Sequence, residues 1–201
     1  MDGKRFHSGP LDYSQFVKHP RFGRAPRYTT TQIPQPWGWN TVSYHCHDAI
    51  EGTSVRADLT RQTQATMPVE YYFDEMRSCL DCKRRFLFFA LEQQYWYETL
   101  GFSLDANCVR CTDCRRQQHQ IAQWRRRYEE LCHVTSTTLD ESLEWAEICL
   151  QLIEAHAFPV GKTTLVRRCL NVVRKSEDPT PIAQCDALRV RVLAAEGGRQ
   201  S

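Results

Sequence analysis

Along the C-terminal third of the chain, apolar and polar positions recur with the period of amphipathic helices. Thr138 and Glu141 form the signature of a capping box and open a helix over "LDESLEWAEICLQLIEAHAF". "PVG" breaks it, and "KTTLVRRCLNVVRKS" resumes with Leu165, Val166, Cys169, Leu170 and Val173 on one side. "EDPTP" is the next break. Thr180 as N-cap and Pro181 as first helical residue predict a third helix over "IAQCDALRVRVLAAE". Such short helices need one another, or the segment before them, to bury their apolar faces. That segment has its own helix, from about Cys111 to Cys132: Cys114, Ile121, Trp124, Tyr128 and Leu131 recur at helical spacing, while Arg125, Arg126 and Arg127 turn mostly outward.

Further upstream the helical period gives way to shorter signals. "RRFLFFAL" reads as an aromatic strand. "EQQYWYETLG" reads as a short helix closed by Gly101, where glycine accepts a left-handed conformation. "TSVRADL" and "MPVEYYFD" read as short extended segments. In residues 1–40, Pro10, Pro20, Pro26, Pro34 and Pro36 exclude a long helix. "LDYSQFV" leaves room for one helical turn, and the rest reads as an extended arm. No internal repeat is evident. The pattern predicts an α+β protein in three regions: an irregular arm over 1–70, a compact module over 71–132, and a helical region of about three helices over 133–201.

A chain of 201 residues, 41% of them apolar, is long enough to bury a core. Its ten cysteines would read as a disulfide framework in a secreted protein. "MDGKRFHSGPLDYSQFVKHP", however, has charge and proline where a signal peptide needs an apolar run, and no window has the length of a membrane span. The expectation is a reducing, cytoplasmic setting without a membrane partner, in which paired cysteines hold metal. The net charge of +2 conceals segregation. Residues 1–30 carry +4 (six basic, two acidic) and 31–76 carry −4 (two basic, six acidic). Residues 77–127 carry +5 (ten basic, five acidic) and 128–201 carry −3 (eight basic, eleven acidic).

The basic segment also holds the cysteines. "CLDC" places Cys79 and Cys82 in one C-x-x-C pair, and "CVRCTDC" offers two overlapping pairs, Cys108 with Cys111 or Cys111 with Cys114. Zn2+ favours four tetrahedral ligands, and two such pairs supply them because each sets two sulfurs on one turn of backbone. Cys111 and Cys114 fall in the first turn of the predicted helix, where unpaired N–H groups and the helix dipole favour thiolates. Cys79, Cys82, Cys111 and Cys114 are therefore the predicted ligands of one structural Zn2+, with Cys108 a spare or exchange partner. The layout is that of a treble clef or zinc ribbon. A redox C-x-x-C is the rival reading for Cys111 and Cys114, but it lacks a βαβ context and a second pair favours metal. Cys46, Cys132, Cys149, Cys169 and Cys185 read as small buried residues.

The stretch from Tyr72 to about Arg116 resembles the probable zinc-ribbon domain of small bacterial proteins, a family without an established reaction. The likeness lies in an aromatic-Asp lead-in, the first C-x-x-C, the aromatic strand, Glu92-Gln93 with following aromatics, Gly101-Phe102, and "RCTDCR" at Arg110 to Arg115. The resemblance implies zinc binding by the same four cysteines and implies no activity. It also implies glycine after the second cysteine, at a position of positive φ; here Lys83 stands there. A side chain in that conformation costs roughly 1–2 kcal/mol, against about 10–16 kcal/mol from structural zinc in small fingers.

Other signals carry less. "VGKTTL" lacks the glycine that a phosphate-binding loop needs at position 156, which is His156, and it joins two helices. His45, Cys46 and His47 in "YHCHD" alternate in direction and have no partner pair. No catalytic triad, paired catalytic carboxylates or open metal site is visible, and an all-thiolate site is closed, so the expectation is a protein that is not an enzyme. Arg21, Arg24 and Arg27, with Lys18 and interleaved with Phe22 and Tyr28, are candidates to track phosphates and stack on bases. Lys83, Arg84, Arg85, Arg115, Arg116, Arg125, Arg126 and Arg127 would extend that surface. Four thiolates and one Zn2+ would still leave residues 77–127 at +3, from a bare +5. The expected partner is RNA or the ribosome. The alternatives are a solvated face whose arginines pair with the acidic C-terminal helices, and an adaptor that docks a protein partner through its helical region.

Overall fold

In the computed structural model, which describes residues 5–7, 11–30, 48–63, 68–134, 138–175 and 182–197, short strands gather in the first half and helices in the second, an α+β fold. The chain divides into two compact units, Met1–Arg116 and Gln117–Ser201. None of the described helices is long and apolar enough to cross a membrane.

The first unit is built on a hairpin. β1 (Arg5–His7), β2 (Asp48–Ile50), β5 (Glu75–Ser78) and β6 (Arg85–Phe88) form one sheet in the order β1-β2-β5-β6. β3 (Val55–Arg56) pairs separately with β4 (Tyr71–Tyr72). In the β5–β6 hairpin, Glu75 faces Phe88 and Ser78 faces Arg85, so its loop is the segment "CLDCKR" that carries the first cysteine pair. The strand's two-residue period sorts its aromatics. Phe86 and Phe88 pack with Cys79, Cys108, Cys111 and Cys114 on one side. Leu87 and Phe89 pack with Phe16 and Ile50 on the other.

Buried polar groups fasten the pieces that such short strands cannot hold alone. The Asp74 carboxylate accepts the backbone N–H of Arg27 and that of Ala90, each at 2.7 Å. Its own N–H donates to the Thr53 hydroxyl at 2.9 Å, and its carbonyl accepts the Ile50 N–H at 2.8 Å. One aspartate thus ties the arm, β2 and the start of α1 (Ala90–Gln94) to the lead-in of β5. The predicted "EQQYWYETLG" helix is α1, but after Gln94 it widens into a π-helical turn over Tyr95–Thr99. Gly101 then stands at φ +67, as expected of a closing glycine. In "LDYSQFV", the Phe16 N–H closes a single turn on the Tyr13 carbonyl.

The second unit is helical. α2 (Thr112–Cys132) begins in the first unit and continues into the second, where Tyr128 and Leu131 are buried. α3 (Leu139–Glu154) opens on the predicted capping box, with Thr138 accepting from the Glu141 N–H and Glu141 accepting from the Thr138 N–H. It ends before Phe158. His156 turns left-handed at φ +55, and the N–H groups of Ala157 and Phe158 fold back onto the Leu152 carbonyl. This sets the Phe158 ring edge-on against Tyr128 at 4.9 Å. α4 (Thr163–Arg174) buries Val166, Cys169, Leu170 and Val173, and α5 (Ile182–Gly197) buries Cys185, Leu188 and Val192 at helical spacing. Together with Leu143, Ala146, Cys149, Leu150, Leu152 and Ile153 of α3 they make one aliphatic core. Cys149, Cys169 and Cys185 are buried as expected; Cys132, expected inside, is exposed because it follows Leu131 onto the outer face of the last turn. The predicted Thr180-Pro181 start of α5, and His45, Cys46 and His47, lie outside the described residues.

Candidate metal centre

The first pair sits in a backbone knuckle. The Cys79 N–H donates to the Arg84 carbonyl at 2.9 Å, and the Lys83 N–H returns to the Cys79 carbonyl at 3.0 Å. Closing this turn puts Lys83 at φ +60, the left-handed region that glycine fills more cheaply. The second pair starts a helix: the Cys111 carbonyl accepts the Arg115 N–H at 2.9 Å, and Cys114 lies in the first turn of α2. A backbone bond from Leu80 N–H to the Val109 carbonyl, 2.8 Å, joins the two loops. The Sγ atoms of Cys79, Cys82, Cys111 and Cys114 all lie within 4.8 Å of one another. Cys82 and Cys111 are 3.8 Å apart. A tetrahedron with Zn–S bonds of about 2.3 Å has edges of about 3.8 Å, so the sulfurs fit that ion. With four thiolates bound, zinc supplies a cross-link and leaves no position for water or substrate.

Charged side chains pin the two loops together, and these the sequence reading passed over. Arg110 Nε donates to both carboxylate oxygens of Asp81, at 2.9 and 3.1 Å, and Arg84 pairs with Asp113 at 3.1 Å. Each bond runs from one C-x-x-C segment to the other. The legible signal was opposite charge: an acid inside each pair and a base beside the other. Deeper, Glu92 accepts Arg115 at 2.6 Å, and the Arg115 guanidinium lies 4.9 Å over the Trp96 ring. His19 Nε2 lies 3.6 Å from the other Glu92 oxygen, while its Nδ1 accepts the N–H groups of Arg21 and Phe22 at 3.1 Å. The Gln93 amide donates to the carbonyls of Phe73 and Phe88. Glu92, Gln93 and Arg115 therefore brace the helix carrying one cysteine pair against the hairpin carrying the other.

The electrostatics differ from the expectation that the helix start favours its own thiolates. Burial opposes charge on Cys79, yet N–H groups of Cys111, Cys82 and Asp81 aimed at its sulfur prevail and hold its pKa down at about 6. Cys82 is also lowered: burial works against it, and the Arg84 N–H and guanidinium outweigh burial. Cys111 and Cys114 are raised, by burial first and then by neighbouring sulfurs. The Cys111 N–H thus serves the sulfur opposite, while the Cys114 N–H pulls on Cys111 itself without overcoming its burial. Cys108 stands outside the four: its thiol donates to the Arg110 carbonyl at 3.5 Å, and burial pushes it up to about 12. The Cys108 carbonyl in turn accepts Arg77, whose guanidinium pairs with buried Glu75.

The candidate phosphate contacts fall into two groups. Arg115 is committed to Glu92, Arg127 to Glu144 at 2.7 Å and Glu130 at 3.1 Å, and Arg84 to Asp113. Arg24 donates to the Phe16 carbonyl, Arg125 to the Ala157 carbonyl, and the Lys83 ammonium to the Leu80 carbonyl. Arg21 and Arg27 lie over the Phe22 ring at 5.3 and 5.6 Å, with both residues exposed. Arg85, Arg116 and Arg126 are exposed and form no ion pair among the described residues.

Residues 73–123 match the family model of a probable treble clef domain, a span that contains both cysteine pairs, β6, α1 and the first half of α2. Neither the curated proteins nor the solved structures compared with the chain gave a match. Hairpin knuckle, helix-start pair and four converging sulfurs are what a treble clef consists of, and the cluster suggests a zinc site.

Proposed function

We propose that Cys79, Cys82, Cys111 and Cys114 hold one structural zinc ion, and that the module it closes is a non-enzymatic binder of nucleic acid, chiefly RNA, free or within the ribosome. The observation that carries the reading is the placing of exposed cations on the zinc-held turns: Arg85 leaves the first knuckle, and Arg116 follows the second cysteine pair. Arg21 and Arg27, flanking the Phe22 ring, add an arm on which a backbone can lie. Lys83 and Arg84, both exposed, need only exchange a carbonyl or a surface carboxylate for phosphate. Arg115 and Arg127 are left out, because withdrawing them breaks pairs that hold the fold.

Such a surface reads charge more than sequence. With about four phosphate contacts to a single strand, affinity should fall about 50-fold between 50 and 200 mM salt. Fluorescence anisotropy with a labelled single-stranded RNA measures this directly. Arg85→Glu with Arg116→Glu should abolish most of the binding while leaving zinc content intact. Affinity that stays flat across salt, or survives the double substitution, rejects the reading.

A further inference from the structure

We infer that the groove between α4 and α5 is a docking site for an acidic amphipathic helix of another protein. The inference is independent of the nucleic-acid reading. It starts from α5, which is apolar on two sides. Cys185, Leu188 and Val192 fill the core, yet Val190 is 67% exposed and Leu193 61%. Ala183, Ala187 and Ala194 are exposed beside them, and Ala183, Ala187, Val190 and Ala194 stand four, three and four residues apart, in one stripe. A surface helix normally carries polar residues there. Next to the stripe, Leu170, Asn171 and Arg167 of α4 and Arg189, Val192 and Leu193 of α5 line a cavity of about 120 Å³. Leu170, Val192 and Leu193 are its aliphatic half, and Arg167, Asn171 and Arg189 its polar half.

Charge selects the occupant. From Thr163 to Lys175 the chain carries Arg167, Arg168, Arg174 and Lys175 and no acid, and Arg189 faces the groove from α5. Arg167 is held by Glu196 of α5 at 2.6 Å, and the other four form no ion pair among the described residues. Many acids of this unit are already engaged: Glu144 with Arg127, Glu147 and Glu154 with Arg191, Glu196 of α5 with Arg167, and Glu141 in the cap of α3. A second copy brought face to face would set Arg189 against its own equivalent, and of the two acids on its α5 Glu196 is already engaged by Arg167. RNA fits poorly, because neither α4 nor α5 has an aromatic ring on which a base can stack. A helix with leucines at i, i+3, i+4 and i+7 and glutamates on its flanks meets both the aliphatic floor and the basic rim.

The test uses the full zinc-loaded chain and two labelled designed peptides with the same leucine pattern, one flanked by glutamate and one by lysine. The glutamate peptide should bind at least tenfold tighter than the lysine peptide, and Leu193→Glu and Arg189→Glu should each weaken it at least tenfold. Both positions are exposed, so circular dichroism and melting should be unchanged, and so should RNA affinity. Equal binding of the two peptides, or binding indifferent to both substitutions, overturns the proposal. So does a wild-type dimer in sedimentation that Leu193→Glu dissociates, which would make a second copy the occupant. A parallel loss of RNA affinity in these variants would assign the groove to nucleic acid and overturn it equally.

Discussion

The second unit buries one continuous set of aliphatic side chains from four helices, and its buried polar residues are only Ser142 and Thr163 among those described. The first unit has separate small clusters under short strands. Between them it buries His19, Thr53, Ser54, Asp74, Glu75, Glu92, Gln93 and Glu98. Long helices satisfy their own backbone, so packing an apolar stripe is enough to hold them. Strands of two to four residues satisfy little of theirs, and the connecting segments must bond to specific side chains instead. The first unit therefore depends on directed bonds and on the four sulfurs, and the second on area.

Metal removal is the strongest way to break this contrast. Structural zinc contributes about 10–16 kcal/mol in small fingers. A chelator, or Cys111→Ala, should abolish the near-ultraviolet dichroism of the aromatic-rich first unit while most of the helical signal at 222 nm survives. If the helical signal collapses in step with zinc loss, the units are not separately held. The reciprocal experiment is Leu150→Ala in the fully buried centre of the helical core. It should cost about 2–5 kcal/mol in denaturant unfolding of the second unit and leave zinc stoichiometry unchanged.

The same contrast explains what could be read from the amino-acid sequence. Helical periodicity exposes Val166, Cys169, Leu170 and Val173, and the Thr138-Glu141 box is local, so α3 and α4 are legible without tertiary information. Spacing alone points to the four cysteines that converge. Contacts made across sequence distance are not legible in this way. Asp74 joins residues 27, 50, 53 and 90; the aromatic-Asp lead-in marks its position but not what it holds. The π-helical widening after Gln94 and the left-handed turn at His156 likewise depend on what the following aromatics must reach. The preference for thiolate at Cys79 arises from N–H donors of its own knuckle, Asp81 and Cys82, together with that of Cys111 about 30 residues away, and no rule about helix starts covers that combination.

Asp74 offers a sharper test of the polar framework. Burial pushes it from 3.8 up to about 6, against the pull of the Arg27 and Ala90 N–H groups. A carboxyl raised on folding stabilises the fold in its protonated form. That contribution is complete below 3.8 and is lost as the pH climbs through about 6. By neutrality it amounts to about 3 kcal/mol. The Asp74 carboxyl carbon should therefore titrate near 6 by NMR, and an ordinary midpoint would refute the burial argument. Asp74→Asn removes the charge, but its NH2 group cannot accept one of the two N–H bonds. The arm amide at Arg27 should then lose hydrogen-exchange protection, at a cost of about 1–3 kcal/mol.

The smallest effect concerns Lys83, whose strain sits at the tightest point of the metal-binding turn. Replacing it by glycine relieves a left-handed side-chain conformation worth roughly 1–2 kcal/mol, less about 0.4–1 kcal/mol for the greater freedom that glycine gives the unfolded chain. The exposed bond from its ammonium to the Leu80 carbonyl is lost as well. A net gain of about 1 kcal/mol should appear as roughly fivefold tighter zinc in chelator competition. If Lys83 also meets phosphate, Lys83→Gly should lower the salt slope of RNA binding by about 0.7. Tighter zinc together with weaker RNA would mean that the strained lysine stands where it does for its charge. Tighter zinc with unaltered RNA binding would leave the strain without a use and remove Lys83 from the surface.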